Sequence, residues 1–192
     1  MTNLWFWADR HHGHKKILHL CNRPFDTIYE MDRTFITNHN AMISDRDDYY
    51  DLGDFAFRCS PQYAVKILKQ LKGRLHFLLG NHDKPLRQAW RMGLLDSVLN
   101  SGKLELIADQ DKTKIVAKYL KIDKQILILS HYAYRSWPNA FRGAWHLFGH
   151  SHGNLDDFYR STDVGVDKNK YPVNYEQIKS HMIALETTFS EK

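Results

Sequence analysis

Five short apolar runs each end on residues that can ligate a metal ion, and this pattern restricts the fold more than any other feature of the chain. Leu4–Ala8 runs into Asp9 and His11, and Tyr49–Gly53 into Asp54. Leu75–Gly80 runs into Asn81 and His82, Ile126–Ser130 into His131, and Trp145–Gly149 into His150 and His152. Apolar runs of this length that stop at a Gly or a polar turn read as buried strands. In open α/β sheets the chemistry collects at the carboxyl ends of the strands. The expectation is an α/β protein whose strands bring these side chains to one edge, with ligands enough for two ions.

The stretches between the runs supply the remaining elements. Helices are predicted over 15–20, 29–43, 61–71 and 86–92, with a turn over 22–26. The third is the best signalled: Ser60 is an N-cap, Pro61 fits the first helical position, and Gly73 stops it. From 98 to 129 the periodicity changes to two, giving strands over 103–108, 114–120 and 125–129 joined by turns at 109–112 and 123–124, read as antiparallel hairpins. A last strand over 162–166 precedes a C-terminal helix for which Asn174 and Gln177 fit a capping box. The order βαβαβ, a β-rich half, then βα predicts two sheets with helices outside, and one domain over 1–192.

Composition narrows the setting. No apolar stretch is long enough to span a bilayer, and no basic leader precedes the first strand, so a cytoplasmic protein without a membrane partner is expected. Cys21 and Cys59 form no Cys-x-x-Cys pair, which suits a reducing compartment and gives no thiolate zinc site. A net charge of +5 favours an anionic ligand. The positive residues are scattered, however, and Lys66, Lys69 and Lys72 at helical spacing read as a solvated face rather than a nucleic-acid stripe.

Carboxylate plus imidazole is a ligand set for Mn, Fe or Zn rather than Ca. Asp54, after Gly53, stands where a carboxylate can bridge two ions, and Asn81 offers an amide oxygen that serves only beside stronger ligands. Two ions about 3.5–4 Å apart clamp a phosphoryl group and acidify a water held between them, so a bridging hydroxide would be the nucleophile. His82 is the natural general acid for the leaving oxygen, with Asp83 placed to fix its tautomer. His12 and His14 are read at the pocket mouth, at the surface or at a helix start. In the loop after His131, Tyr132, Tyr134, Arg135, Trp137 and Arg142 either pack or stack on a base and hold a phosphate.

Asp9-x-His11, Gly53-Asp54, Gly80-Asn81-His82-Asp83, the lone His131 and Gly149-His150-x-His152 resemble the five blocks of the calcineurin-like metallophosphoesterase superfamily, in its small bacterial and phage form. The resemblance implies a four-layer α/β/β/α sandwich of two mixed sheets flanked by helices. It implies that Asp9, His11, Asp54 and His152 hold one divalent metal ion, and Asp54, Asn81, His131 and His150 a second. Manganese comes first, with Fe, Zn or Ni as alternatives. His82 would act on the leaving group, and Arg58 stands where related phosphatases carry a phosphate-binding Arg, although Phe57 replaces the acidic residue before it. Arg10 and Asp51 are unusual for their positions. The implied activity is hydrolysis of a phosphodiester or nucleotide-like phosphate. A phosphomonoesterase, a polynucleotide nuclease and a non-catalytic metal-binding scaffold are the alternatives.

Overall fold

The computed structural model describes residues 2–107 and 116–190. β1 (Leu4–Trp7) is followed by α1 (Ile17–Leu20) and α2 (Ile28–Met42), and β2 (Asp48–Asp51) by α3 (Pro61–Leu68). β3 (Arg74–Leu78) leads to α4 (Lys84–Arg91) and α5 (Asp96–Asn100). Then come β4 (Leu104–Ile107), β5 (Ala117–Ile122), β6 (Gln125–Ser130), β7 (Trp145–Phe148), β8 (Ser161–Asp163), β9 (Val173–Asn174) and α6 (Tyr175–Ser190). The helix starts follow local chemistry. Thr27 accepts from the Glu30 amide and Ser60 from the Tyr63 amide, each at 3.1 Å. Asn174 and Gln177 form the reciprocal box that opens α6, at 2.8 and 2.9 Å.

The strands make two mixed sheets flanked by helices, the layered α/β sandwich expected. One sheet has the order β4-β3-β2-β1-β9 and the other β5-β6-β7-β8. β1 to β4 run parallel and β9 antiparallel; β6, β7 and β8 run parallel and β5 antiparallel. One expectation is corrected. β4 is not the hairpin partner of β5: it pairs in parallel with β3, while β5 pairs with β6 in the other sheet. Period-two alternation says that a segment is a strand and which face is apolar, but not which neighbour supplies its hydrogen bonds. The proposed turn at 109–112 lies outside the described residues.

Alternation along β1 divides the core. Trp5 and Trp7 join Met31, Phe35, Leu68 and Phe77 beneath the helices. Phe6 and Ala8 face the second sheet, against Leu127, Leu129, Trp145 and Leu147, and α6 adds Ile178 and Met182 to this middle layer. On the far side of the second sheet, Trp137 covers Ile128 and Tyr134 stacks on His146 at 5.1 Å. Loop packing therefore accounts for Tyr134 and Trp137. The sheets meet where β1 and β8 run on past their ends: Ala8 bridges Gly165, and the Val166 amide donates to the Ala8 carbonyl at 3.1 Å. That junction brings the carboxyl ends of both parallel strand sets to one place.

Candidate metal centre

After β1, β2 and β7 the polar residues sit on a sharply turned backbone. Asp9, His11, Asp54, His150 and His152 all lie in the left-handed region, with φ of 59°, 52°, 56°, 67° and 51°. Asp and His tolerate this region better than apolar residues, yet it still costs about 1–2 kcal/mol per residue. Hydrogen bonds across the edge hold the strain in place. Asp9 donates to the Gly53 carbonyl at 3.0 Å and His11 to the Asp54 carbonyl at 2.9 Å. The His150 amide donates to the Asp9 carboxylate at 2.8 Å.

Among the described residues there are three groups whose ligand atoms lie within 4.8 Å of one another. One sets Cys21 and Asp167 beside His152; the other two stand at the strand ends, Asp9, His11 and the same His152 in one and Asp54, His131 and His150 in the other. Asp54 faces both. Its Oδ2 is 3.4 Å from His11 Nε2, and its Oδ1 is 3.4 Å from His131 Nε2. Asn81 Oδ1 lies 2.9 Å from His131 Nε2, in the second group. Glycine is required behind this cluster. A Cβ on Gly80 would stand 2.5 Å from the Asp54 amide nitrogen, and one on Gly149 2.8 Å from Asp9 Oδ2.

The groups differ in exposure. Asp9 and His11 are buried and His152 is partly so, whereas His150 and Asn81 are exposed. Burial pushes the Asp9 carboxyl up to about 7 and the His11 imidazole down to about 2. Burial also opposes charge on His131, but the Asp54 carboxylate overrides it and raises the ring to about 9. His131 Nδ1 donates to the Leu52 carbonyl at 2.9 Å, so its Nε2, turned to two oxygens, needs either a proton or a cation. Neither ring nitrogen of His11 has a hydrogen-bond partner, nor does Asp54 Oδ2, and all three atoms are buried. Of these, His11 Nε2 and Asp54 Oδ2 face one another at 3.4 Å, and two buried acceptors so placed fit a bound divalent cation.

The other singled-out residues fall around this cluster. His82 is half-buried; its amide donates to Asp54 Oδ1 at 2.8 Å and its ring lies 4.2 Å from Phe57 and 5.5 Å from His11. Arg58 is exposed, its guanidinium 5.2 Å over the Phe57 ring. Tyr132 packs on His150 at 4.5 Å, and Arg135 and Arg142 are exposed.

Two expectations change. Asp83 does not orient the His82 ring: its carboxylate is buried and accepts from the amides of Asp54, Gly80 and Ala56 at 2.8, 2.8 and 3.0 Å. It thus ties the Asp54 turn to the Asn81 turn. His12 is not at a pocket mouth: it is 0% exposed and bonded to Asp32 at 2.9 Å.

Arg10 and Asp51 explain each other. They pair at 2.5 Å, both side chains essentially inaccessible, with the guanidinium 4.6 to 5.9 Å from the rings of Phe55, Tyr49, Trp7 and Phe77. Sequence reasoning passed over Arg23, Asp163 and Asp167. Asp163 accepts from the Ser151 hydroxyl and from the Gly153 and Gly165 amides, shaping the His150–His152 turn. For Asp163 a signal was present, since it lies inside the strand predicted over 162–166, two residues before Gly165.

Comparison with known proteins places this geometry on a recognised fold without supplying an activity. No protein-family model matches the chain. An uncharacterized protein of Methanocaldococcus jannaschii is 38% identical over 85 residues, which is 44% of this chain and 48% of that protein. The gene 66 protein of Mycobacterium phage L5 is 31% identical over 87 residues, 44% of this chain and 42% of its own length. The matches thus span less than half of these curated relatives. Among solved structures, a protein of unknown function from Aquifex aeolicus superposes with a TM-score of 0.67 at 20% identity, covering 94% of this chain and 99% of the other. The two share the fold. YfcE, a phosphoesterase from E. coli, gives a TM-score of 0.39 at 17% identity over 85% of this chain and 78% of its own, a likeness too slight to carry an argument.

Proposed function

We propose that this chain is a two-metal phosphoesterase acting on a phosphodiester or nucleotide-like phosphate. The observation that carries the reading is Asp54, whose two oxygens each lie 3.4 Å from a histidine of a different ligand group. The resemblance of the five sequence blocks to calcineurin-like metallophosphoesterases supports the same assignment. Asp9, His11 and His152 would hold one ion, Asn81, His131 and His150 the other, and Asp54 both; Mn suits this donor set. When bound, the ions would supply Lewis-acid polarisation of the phosphoryl group and an activated water.

The chain's own residues would do the rest. The His82 ring stands beside His11, held by its own amide on Asp54 and by the Phe57 face, in position to pass a proton to the leaving oxygen. Arg58, at the same rim, adds positive charge for the phosphate. Tyr132 against His150 offers an aromatic face to a base.

The test is hydrolysis of bis-p-nitrophenyl phosphate and of p-nitrophenyl phosphate by chelated protein with Mn, Ni, Zn or Mg restored. Metal-dependent cleavage of the diester is expected. Preference for the monoester would replace diesterase with phosphatase. Ions bound without cleavage of either compound would overturn the enzyme reading in favour of a scaffold.

A further inference from the structure

Asp9, Arg10, His152 and Asp167 lie on segments remote in sequence, and Arg23 joins them. Its side chain is 3% exposed, and its Nε and Nη2 each donate to the Asp167 carboxylate at 2.8 Å in a two-pronged pair. The same guanidinium donates from Nη2 to the Asp9 carbonyl at 2.6 Å and from Nη1 to the Arg10 carbonyl at 2.9 Å. Asp167 in turn accepts from His152 Nδ1 at 2.7 Å, which leaves Nε2 as the lone-pair nitrogen of that ring. One buried cation thus grips the left-handed turn bearing Asp9 and His11, and one carboxylate orients the third member of the same group. The other group has a different construction, since its His150 is exposed and packed on the rings of Tyr132 and His131.

We propose that Arg23 and Asp167 are positioning residues that set the metal affinity of the Asp9, His11 and His152 group and leave the Asp54, His131 and His150 group unaffected. The inference rests on the two-metal reading above. Its physical basis is the carboxylate–imidazole–metal relay, in which the outer carboxylate fixes the ring tautomer and raises its basicity. The fork of Arg23 matters as well as its charge, because lysine cannot reproduce two parallel bonds to Asp167 while also capping two carbonyls.

The experiment is titration of chelated full-length protein with Mn, followed by calorimetry, for wild type, Asp167→Asn and Arg23→Lys. Expected is a loss of about 10–100-fold in affinity at one of two sites in Asp167→Asn, with the other unchanged, and a smaller loss at the same site in Arg23→Lys. Equal weakening of both sites would mean general loosening of the fold and would overturn the proposal. So would unchanged affinity in both variants. Because the readout is binding, the two readings separate. A wild type that binds two Mn but cleaves no phosphoester removes the enzyme reading alone. An active wild type whose variants bind Mn normally removes the positioning role alone.

Discussion

Replacing Arg10 by Met tests how the Asp54 turn is supported from behind. Breaking a buried ion pair from one side costs about 3–5 kcal/mol, because the remaining charge is stranded. Two features of this site place the expected loss near the lower end. Asp51 keeps the Tyr49 hydroxyl at 3.0 Å and the Gly53 amide at 3.0 Å. Arg10 Nε and Nη1 have no hydrogen-bond partner, so removing them relieves a desolvation cost. A loss of about 3 kcal/mol is therefore expected, or about 6–12 °C in melting temperature for a chain of this size. The pair is separated from its surroundings by a double-mutant cycle in urea with Asp51→Asn. Coupling of about 2 kcal/mol is expected, the double variant being more stable than the sum of the singles. Coupling below about 0.5 kcal/mol, or a single variant within about 1 kcal/mol of wild type, would show that the buried pair does not support this end of the sheet.

Asp54→Asn is expected to weaken Mn binding at both positions and to abolish detectable diester cleavage; two fully occupied sites in that variant, measured by metal analysis, would remove the bridging role. His82→Ala is expected to retain metal while slowing cleavage of substrates with poor leaving groups by about 10²–10⁴-fold. Unchanged rates on such substrates would take His82 out of the reaction. His39 is buried with Nε2 2.9 Å from the Lys72 carbonyl, and burial lowers it to about 3. Its depressed folded value means that the unfolded chain binds the proton first. The contribution is complete above the ordinary histidine range near pH 6.5 and lost as pH falls towards 3, by up to about 1.4 kcal/mol per pH unit. His39→Gln should flatten the urea-stability profile of chelated protein between pH 6.5 and 3; an unchanged slope would contradict this.

The chain by itself determined the strands β1 to β8 and their order, though not the short β9, together with the helix caps at Ser60 and Asn174 and which residues stand at the strand ends. These are local properties, written in the alternation of apolar residues and in the Gly and polar residues that stop them. The sequence also identified Asp9, His11, Asp54, Asn81, His131, His150 and His152 as residues that would gather. What it did not contain was partnership. Whether β4 belongs with β3 or β5 depends on which edge is free once both sheets exist. Asp83 looked free to orient His82, and only the folded turns show it occupied by three backbone amides. Arg23 read as part of a turn, and Asp167 had no signal until Ala8 and Gly165 were joined. Arg10 and Asp51 were merely odd residues until burial made each the other's counter-ion. Local pattern encodes the conformation and sidedness of a segment. Hydrogen bonding and charge pairing between segments as distant as Arg23 and Asp167 depend on the packing of two sheets, and only the tertiary structure decides them.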